Sequence, residues 1–303
     1  MNVIDLFAGA GGFSEGARMA GAKVLWAANH WDLAVRYHAA NHPDTEHVQQ
    51  DLQQADFRDA PPHDGLLASP ACQGHSPARG KEKPHHDAQR STAWAVVTCA
   101  EVHRPRFVVV ENVKAFAKWS LYPAWCHAMH SLGYALAPMV LDAADHGVPQ
   151  QRERLIIVAT RSKHPIVIDL PRRPHVAASN VIDFTAGTWS RVADKVPNTR
   201  ARWARGRAEQ GERFLMPYYG SGSGETGRSL SRPIGTLTTK ARWAVVDGDR
   251  MRMVNAHTEG RAFMGFRPGY ELPANEAQAW HLMGNAVVPQ KAADVIDAIR
   301  RAA

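Results

Sequence analysis

Cysteine is scarce in this chain: Cys72, Cys99 and Cys126 are the only three among 303 residues. The number is odd and no pair has CxxC spacing. That excludes a disulfide framework and a cysteine zinc site, and points to a reducing, cytoplasmic setting. No apolar run approaches the roughly 20 residues of a membrane span. The opening MNVIDLFAGAGG has no basic leader and no cleavable apolar stretch, so it reads as a strand rather than a signal peptide. There is no internal repeat, and the glycine-rich turn near the N-terminus lacks the GxGxxG form. Acidic residues are outnumbered, 29 Asp and Glu against 36 Lys and Arg, giving a formal charge of +7. A basic excess favours a polyanionic partner, because neutralising phosphates releases counterions whatever the sequence. With 45% hydrophobic and 21% charged residues the chain is of ordinary globular composition. Its length holds one large domain, or one large and one small.

What is present is alternation. Short β-branched runs at 3–7, 23–28, 65–69, 107–110, 136–141 and 155–159 alternate with helical patterns at 12–19, 32–41, 92–103 and 122–132. Such alternation predicts βαβ units, a mostly parallel sheet and an α/β fold. VVV before Glu111 and LIIV at 155–158 read as central strands buried on both faces. After Thr160 the composition shifts. Residues 161–232 are rich in Arg, carry scattered Pro and the Gly/Ser run of 219–227, and show little periodicity. This suits a smaller, irregular domain facing a polyanion, with the Gly/Ser run either a contact or a linker. The tail 292–301 is apolar at helical spacing and is expected to pack back onto the sheet. The domains are therefore expected at 1–160, completed by 284–303, and at 161–275.

Five segments carry chemistry. Asp5 to Gly16, DLFAGAGGFSEG, is a strand, a glycine-rich turn and a helix. The backbone can approach a ligand there and present helix N-terminal amides. Alone it suits NAD, FAD or a merely structural turn, although F-x-G-x-G-G departs from the dehydrogenase form. Ser69 to Ser76, SPACQGHS, puts Cys72 after the strand GLLAS, on the edge where open α/β sheets bind ligands. A cysteine there is either an exposed nucleophile or an inert buried hydrophobe, and the latter reading suits Cys99 and Cys126. Phe107 to Val113 puts Glu111 at the end of a very apolar strand, sheltered from water as a proton donor requires, or paired with an arginine. Pro149 to Val158 holds Arg152 and Arg154 just before a buried strand, where a guanidinium can grip a carbonyl oxygen or a carboxylate. Met283 to Pro289, MGNAVVP, reads on its own as a cap or turn.

Taken in order, these segments resemble the motif set of the cytosine-5 DNA methyltransferases. DLFAGAGG resembles their cofactor loop, PACQGHS the nucleophile loop usually written PPCQGFS, ENV the glutamate motif, QQRER the Q-x-R-x-R motif, and GNAVVP the C-terminal motif. The likeness runs from Asp5 to Pro289 and lapses only between about 161 and 228. It implies a Rossmann-like methyltransferase domain with a mostly parallel sheet, plus a small irregular target-recognition domain. It also implies a monomer of bacterial or phage setting acting on double-stranded DNA at a short sequence, with S-adenosylmethionine as methyl donor and no metal. In that family's terms Cys72 adds to C6 of the cytosine. Glu111 holds and protonates the N3 edge, and Arg154 with Arg152 holds O2. Phe7, Gly9, Ala10, Gly11 and Gly12 line the methionine end of the donor. His30, Trp31, Asp51, Leu52 and Pro70 surround its nucleoside, and Asn285 and Val287 complete the pocket. The stretch 73–91, with Arg79, Lys81, Lys83 and Arg90, resembles the loop that closes over DNA. His85 and His86 within it have no partner at metal spacing.

Three departures stand out. His30 occupies the place of an acidic residue expected on the ribose hydroxyls, Ala71 that of a proline, and His75 that of a phenylalanine. Rival readings are a tRNA cytosine-5 methyltransferase on the same core, a catalytically silent DNA-binding relative, and a NAD-dependent oxidoreductase. Keeping Cys72, Glu111 and Arg154 together argues against the silent relative, and the absence of GxGxxG from the turn after the first strand argues against the oxidoreductase.

Overall fold

The computed structural model describes residues 1–71, 91–218 and 227–302. Cys72, the basic stretch 73–90 and the run 219–226 lie outside them. The chain divides into two compact units. Unit 1 is Met1–Asp142, Glu153–Pro171 and Ala286–Ala303; unit 2 is Ala143–Arg152 and Arg172–Asn285.

Unit 1 is built on a seven-stranded sheet in the order β3-β2-β1-β4-β5-β7-β6. The strands are β1 Asn2–Leu6, β2 Lys23–Asn29, β3 Glu46–Gln49, β4 Gly65–Ala68, β5 Phe107–Asn112, β6 Ala135–Asp142 and β7 Glu153–Thr160. The first five in spatial order are parallel, whereas β7 runs antiparallel to β5 and β6. The centre is where the sequence is most apolar: every residue of β4 and β5 is buried, as are 155–160 of β7. Two-residue alternation sends Ile4, Leu6, Leu66, Val108 and Val110 to one face and Val3, Leu67, Val109 and Val158 to the other. Strand β3, EHVQ, has one apolar residue and no sequence signal; it is held by pairing with β2.

Helices α1 Gly12–Met19, α2 Asp32–Asn41, α3 Trp94–His103, α4 Tyr122–Ser131 and α7 Pro289–Ala302 cover the faces. In α7, Ala292, Val295, Ile296 and Ile299 recur at helical spacing, are buried, and join Phe13 and Ala17 of α1 in one core. Burying each of Val295, Ile296 and Ile299 stabilises by roughly 1.5–3 kcal/mol, and each alanine by less. Gly12 permits the close approach of the two segments: a Cβ there would lie 2.0 Å from the Val287 carbonyl oxygen.

The register positions the site. Leu6 pairs with Ala28 and with Ala68, and Ala68 with Val110. The next residues, Phe7, Asn29, Ser69 and Glu111, therefore stand in one row along the carboxyl edge. Antiparallel β7 enters at that edge, with Ile156 opposite Glu111.

Unit 2, the smaller of the two, carries a second sheet among its described residues. Its antiparallel sheet runs β10-β9-β11-β12-β8, with β8 Ser190–Arg191, β9 Arg213–Pro217, β10 Arg228–Ser229, β11 Trp243–Asp247 and β12 Arg250–Met253. Val192, Phe214, Met216, Ala244, Val246 and Met251 form its core, with Trp203 of helix α5 Pro197–Gln210 packed against them. Helix α6, Glu276–Gly284, closes the unit in sequence. Among the described residues no helix is long and apolar enough to cross a membrane.

Candidate active site

The glycine turn after β1 is a backbone device. Phe7, Gly9 and Gly11 have φ of 59°, 55° and 80°, and the Gly11 amide donates to the Ala8 carbonyl at 2.8 Å. Positive φ is inexpensive for glycine and costly for a side chain such as Phe7, so strain is concentrated at the residue that opens the turn. The turn leads directly into α1, whose first amides lack carbonyl partners within the helix and favour an electronegative group. Ala10, Gly11 and Gly12 are buried, whereas Phe7 and Gly9 are part-exposed. Gly9 faces open space: a Cβ there would meet only the Phe7 oxygen, at 3.7 Å. Gly12 is different, because its bare side is filled by Val287. The sequence assigned both residues to a ligand; the structure brings them against each other.

Beyond the next strand, Asn29 Oδ1 accepts from the Trp31 amide at 2.9 Å, fixing the turn that presents His30 and Trp31 before α2. His30 is exposed and Trp31 half-buried. After β3, Asp51 is exposed and Leu52 buried. These residues stand at the same carboxyl edge as the glycine turn, so an open amide-lined turn, an indole and a carboxylate lie along one border of the sheet. That donor set fits a nucleoside with an amino-acid tail. Asn285 belongs to unit 2 and is exposed.

The backbone leading to residue 72 is held at three points. Ser69 Oγ donates to the Phe7 carbonyl at 3.1 Å, the Ala71 amide donates to Thr92 Oγ1 at 3.1 Å, and Asn112 Nδ2 donates to the Pro70 carbonyl at 3.1 Å. Asn112, one residue after Glu111, was not singled out from the sequence, although its place in ENV was the available signal. It joins the strand that carries the glutamate to the segment that precedes the cysteine. Cys72 itself lies outside the described residues. Cys99 is fully buried and burial pushes its thiol up to about 12, so it is an inert core residue.

Glu111 is buried at the carboxyl end of β5, and Arg154 Nε stands 3.4 Å from its Oε1. Arg154 also donates to the Glu153 carbonyl at 2.8 Å, and Glu153 pairs with Lys114. Arg152, which the sequence grouped with Arg154, is placed otherwise. It is 2% exposed, and its Nη1 and Nη2 donate to the carbonyls of Leu237 and Gly284, each at 2.8 Å, inside unit 2. Gln150, fully buried, accepts from the Leu237 amide and donates to the Phe263 carbonyl. Gln150 and Arg152 thus clamp the segment that feeds β7, and Arg154 pairs with the glutamate.

The basic residues of unit 2 are partly self-neutralised. Arg207 pairs with Glu212, Arg213 and Arg250 with Asp247, and Arg252 with Glu259. Arg191, Lys195, Arg200 and Arg205 have no carboxylate partner among the described residues.

A family model described as C-5 cytosine-specific DNA methylase matches residues 1–301. The Type II methyltransferase M.HhaI of Haemophilus parahaemolyticus is 28% identical over 308 residues, covering 95% of this chain and 90% of that protein. The Type II methyltransferase M.DdeI of Desulfomicrobium norvegicum is 30% identical over 176 residues, which span 55% of this chain and 42% of that protein. Among solved structures, a Spodoptera frugiperda DNMT2 mutant superposes with a TM-score of 0.72 at 18% identity over 99% of each chain. The S. pombe Dnmt2 methyltransferase does so at 0.71 and 15%, over 99% of this chain and 97% of that one. Likeness at these identities establishes a shared fold.

Proposed function

The chain belongs to the C-5 cytosine-specific DNA methylase family, and from that premise we propose that it methylates carbon 5 of a cytosine flipped out of double-stranded DNA at a short specific sequence, through a covalent bond between Cys72 and C6. The observation that carries this reading is the Glu111–Arg154 pair at the carboxyl edge, on the strand whose Asn112 holds the segment entering position 72. S-adenosylmethionine supplies an electrophilic methyl group when bound. The part-open turn at Phe7 and Gly9 and the edge residues Trp31 and Asp51 are the groups that would hold it, with His30 facing the ribose.

In this reading the Cys72 thiolate attacks C6. Glu111 donates a proton to N3, which neutralises the charge that the attack places on the ring. Arg154 holds the ring carbonyl oxygen and keeps Glu111 oriented, while Arg152 and Gln150 act as positioning residues. The enamine so formed is nucleophilic at C5; after methyl transfer, loss of the C5 proton expels Cys72. A stacked base exposes neither atom along the required path, hence the flipped base. Arg191, Lys195, Arg200 and Arg205 supply phosphate contacts that position the duplex.

Bisulfite sequencing of plasmid and of total RNA from cells making the wild type or Cys72→Ser tests the reading. Methylated cytosine in one short DNA motif with the wild type alone is the expected result. Protected cytosine in RNA only, or equal DNA methylation by both proteins, overturns it.

A further inference from the structure

Beneath the glycine turn lies a row of polar groups that the mechanism above does not use. Asp5, next to last in β1, is fully buried and its Oδ2 accepts from Ser14 Oγ at 2.7 Å. Ser14 Oγ lies 3.0 Å from His38 Nε2, and His38 Nδ1 lies 2.7 Å from His47 Nε2. Ser14 and His38 are buried, whereas His47, on edge strand β3, is half-buried and reaches toward water. The other carboxylate oxygen, Asp5 Oδ1, is buried with no hydrogen-bond partner among the described residues.

Hydrogen-bond logic fixes the direction of the row. A hydroxyl has one hydrogen, and Ser14 gives it to Asp5, so Ser14 must accept from His38 and His38 carries its hydrogen on Nε2. The Nδ1 lone pair of His38 then accepts from His47. This arrangement needs a neutral His38, and its pKa is held well below the ordinary histidine value by burial, then by His42 and His47. All three hydrogens point inward and end on Asp5. At its outer end His47 also bonds the Thr45 backbone, and burial holds its pKa below the ordinary histidine value. The three histidines do not form a metal site: His38 and His47 aim nitrogens at each other, and His42 lies ring against ring with His38, centroids 4.6 Å apart.

We propose that Ser14, His38 and His47 are positioning residues that set the charge of Asp5 under the cofactor turn, and that ionised Asp5 favours a cationic sulfonium ligand over its neutral thioether product. The ligand half of this statement rests on the function proposed above. Burial pushes the Asp5 carboxyl up to about 7, against the opposing pull of the Ser14 hydrogen bonds. Its charge therefore changes across the neutral range, protonated below and ionised above. On the elements packed around it, Glu15 of α1 is bonded to Arg18, Asp32 of α2 to Arg36, and β4 carries no ionisable group. Glu46 of β3 and Lys23 of β2 are exposed, and Lys291 and Asp294 of α7 are buried against α1.

Two measurements test the proposal. In the free protein, carbon-13 NMR of labelled aspartate carboxyls, assigned with Asp5→Asn, should show Asp5 titrating near 7 and moving higher in Ser14→Ala. Titration in the ordinary carboxylate range, or an unmoved value in Ser14→Ala, overturns the proposal. In the second, calorimetry gives the affinities of S-adenosylmethionine and S-adenosylhomocysteine from pH 6 to 8.5. Their ratio should turn toward the sulfonium on the order of tenfold as pH rises, the scale of one unit charge in a protein interior. Asp5→Asn should lack this slope, and the ligands' own amino groups cancel in that comparison. The same slope in both proteins overturns the proposal. If neither nucleoside binds at any pH, the function proposed above fails, while the NMR result still decides the row itself.

Discussion

Two arginine–glutamate pairs, one in each unit, are built to opposite ends. In unit 2, Arg252 Nη1 and Nη2 grip both oxygens of Glu259 at 2.8 and 2.6 Å. Arg252 also donates to the Asp183 carbonyl, and Glu259 accepts from the Asn255 and Asp183 amides. Both side chains are 4% exposed. In unit 1, Arg154 meets Glu111 through one contact of 3.4 Å, at 16% and 9% exposure, and among the described residues the carboxylate has no other partner. In the first pair both carboxylate oxygens are taken and both side chains are shut off from water, so it holds structure, although Arg252 Nε is buried without a hydrogen-bond partner among the described residues. The second keeps hydrogen-bonding capacity at an edge where a ligand can arrive. Saturation, more than residue type or burial, separates a structural ion pair from a reactive one.

The largest expected effect breaks the open pair. Glu111→Gln keeps the shape and removes the proton donor. Methyl transfer to DNA should fall roughly 10²- to 10⁴-fold, while the unfolding free energy in urea changes by less than about 1 kcal/mol. A loss of several kcal/mol would make this pair structural after all. The closed pair should behave in reverse. Arg252→Met leaves Glu259 buried without its counter-charge and should cost about 3–5 kcal/mol of stability, read by urea denaturation. Adding Glu259→Leu should restore most of it, because two apolar groups of similar size leave no orphan charge. A double variant no more stable than Arg252→Met would show that the surrounding amides, rather than the pair, carry the energy.

The same contrast explains what could be read from sequence. Helices 12–19 and 32–41 were legible to the residue, because a glycine turn and a Trp-Asp start mark their beginnings and apolar spacing marks their length. Glu111 was legible because three β-branched residues precede it. Unit 2 offers no such signals. Its strands have two to five residues, and α5, PNTRARWARGRAEQ, buries only Thr199 and Gly206. The position of Arg152 was illegible for a different reason. Its partners Leu237 and Gly284 stand 85 and 132 residues away in sequence, and nothing local distinguishes an arginine bound for two carbonyls from one bound for a substrate. The row from Asp5 to His47 was likewise invisible, since it joins two strands and two helices through side chains of no common motif.

The smallest expected effect concerns the edge residue that departs from its family. His30 is exposed and makes no hydrogen bond or ion pair among the described residues, and the turn that presents it is fixed by Asn29 and Trp31. By the rule drawn from the two ion pairs, such an unsaturated edge residue is free for a ligand and immaterial to the fold. His30→Glu should therefore leave stability within about 0.5 kcal/mol. A carboxylate accepts from both ribose hydroxyls, whereas a neutral imidazole offers one acceptor and one donor. S-adenosylmethionine should then bind the variant at least as tightly as the wild type, within a few-fold by calorimetry. Weakening of tenfold or more would mean that the imidazole N–H is itself required, and that saturation in the free protein does not predict which edge groups a ligand can exchange.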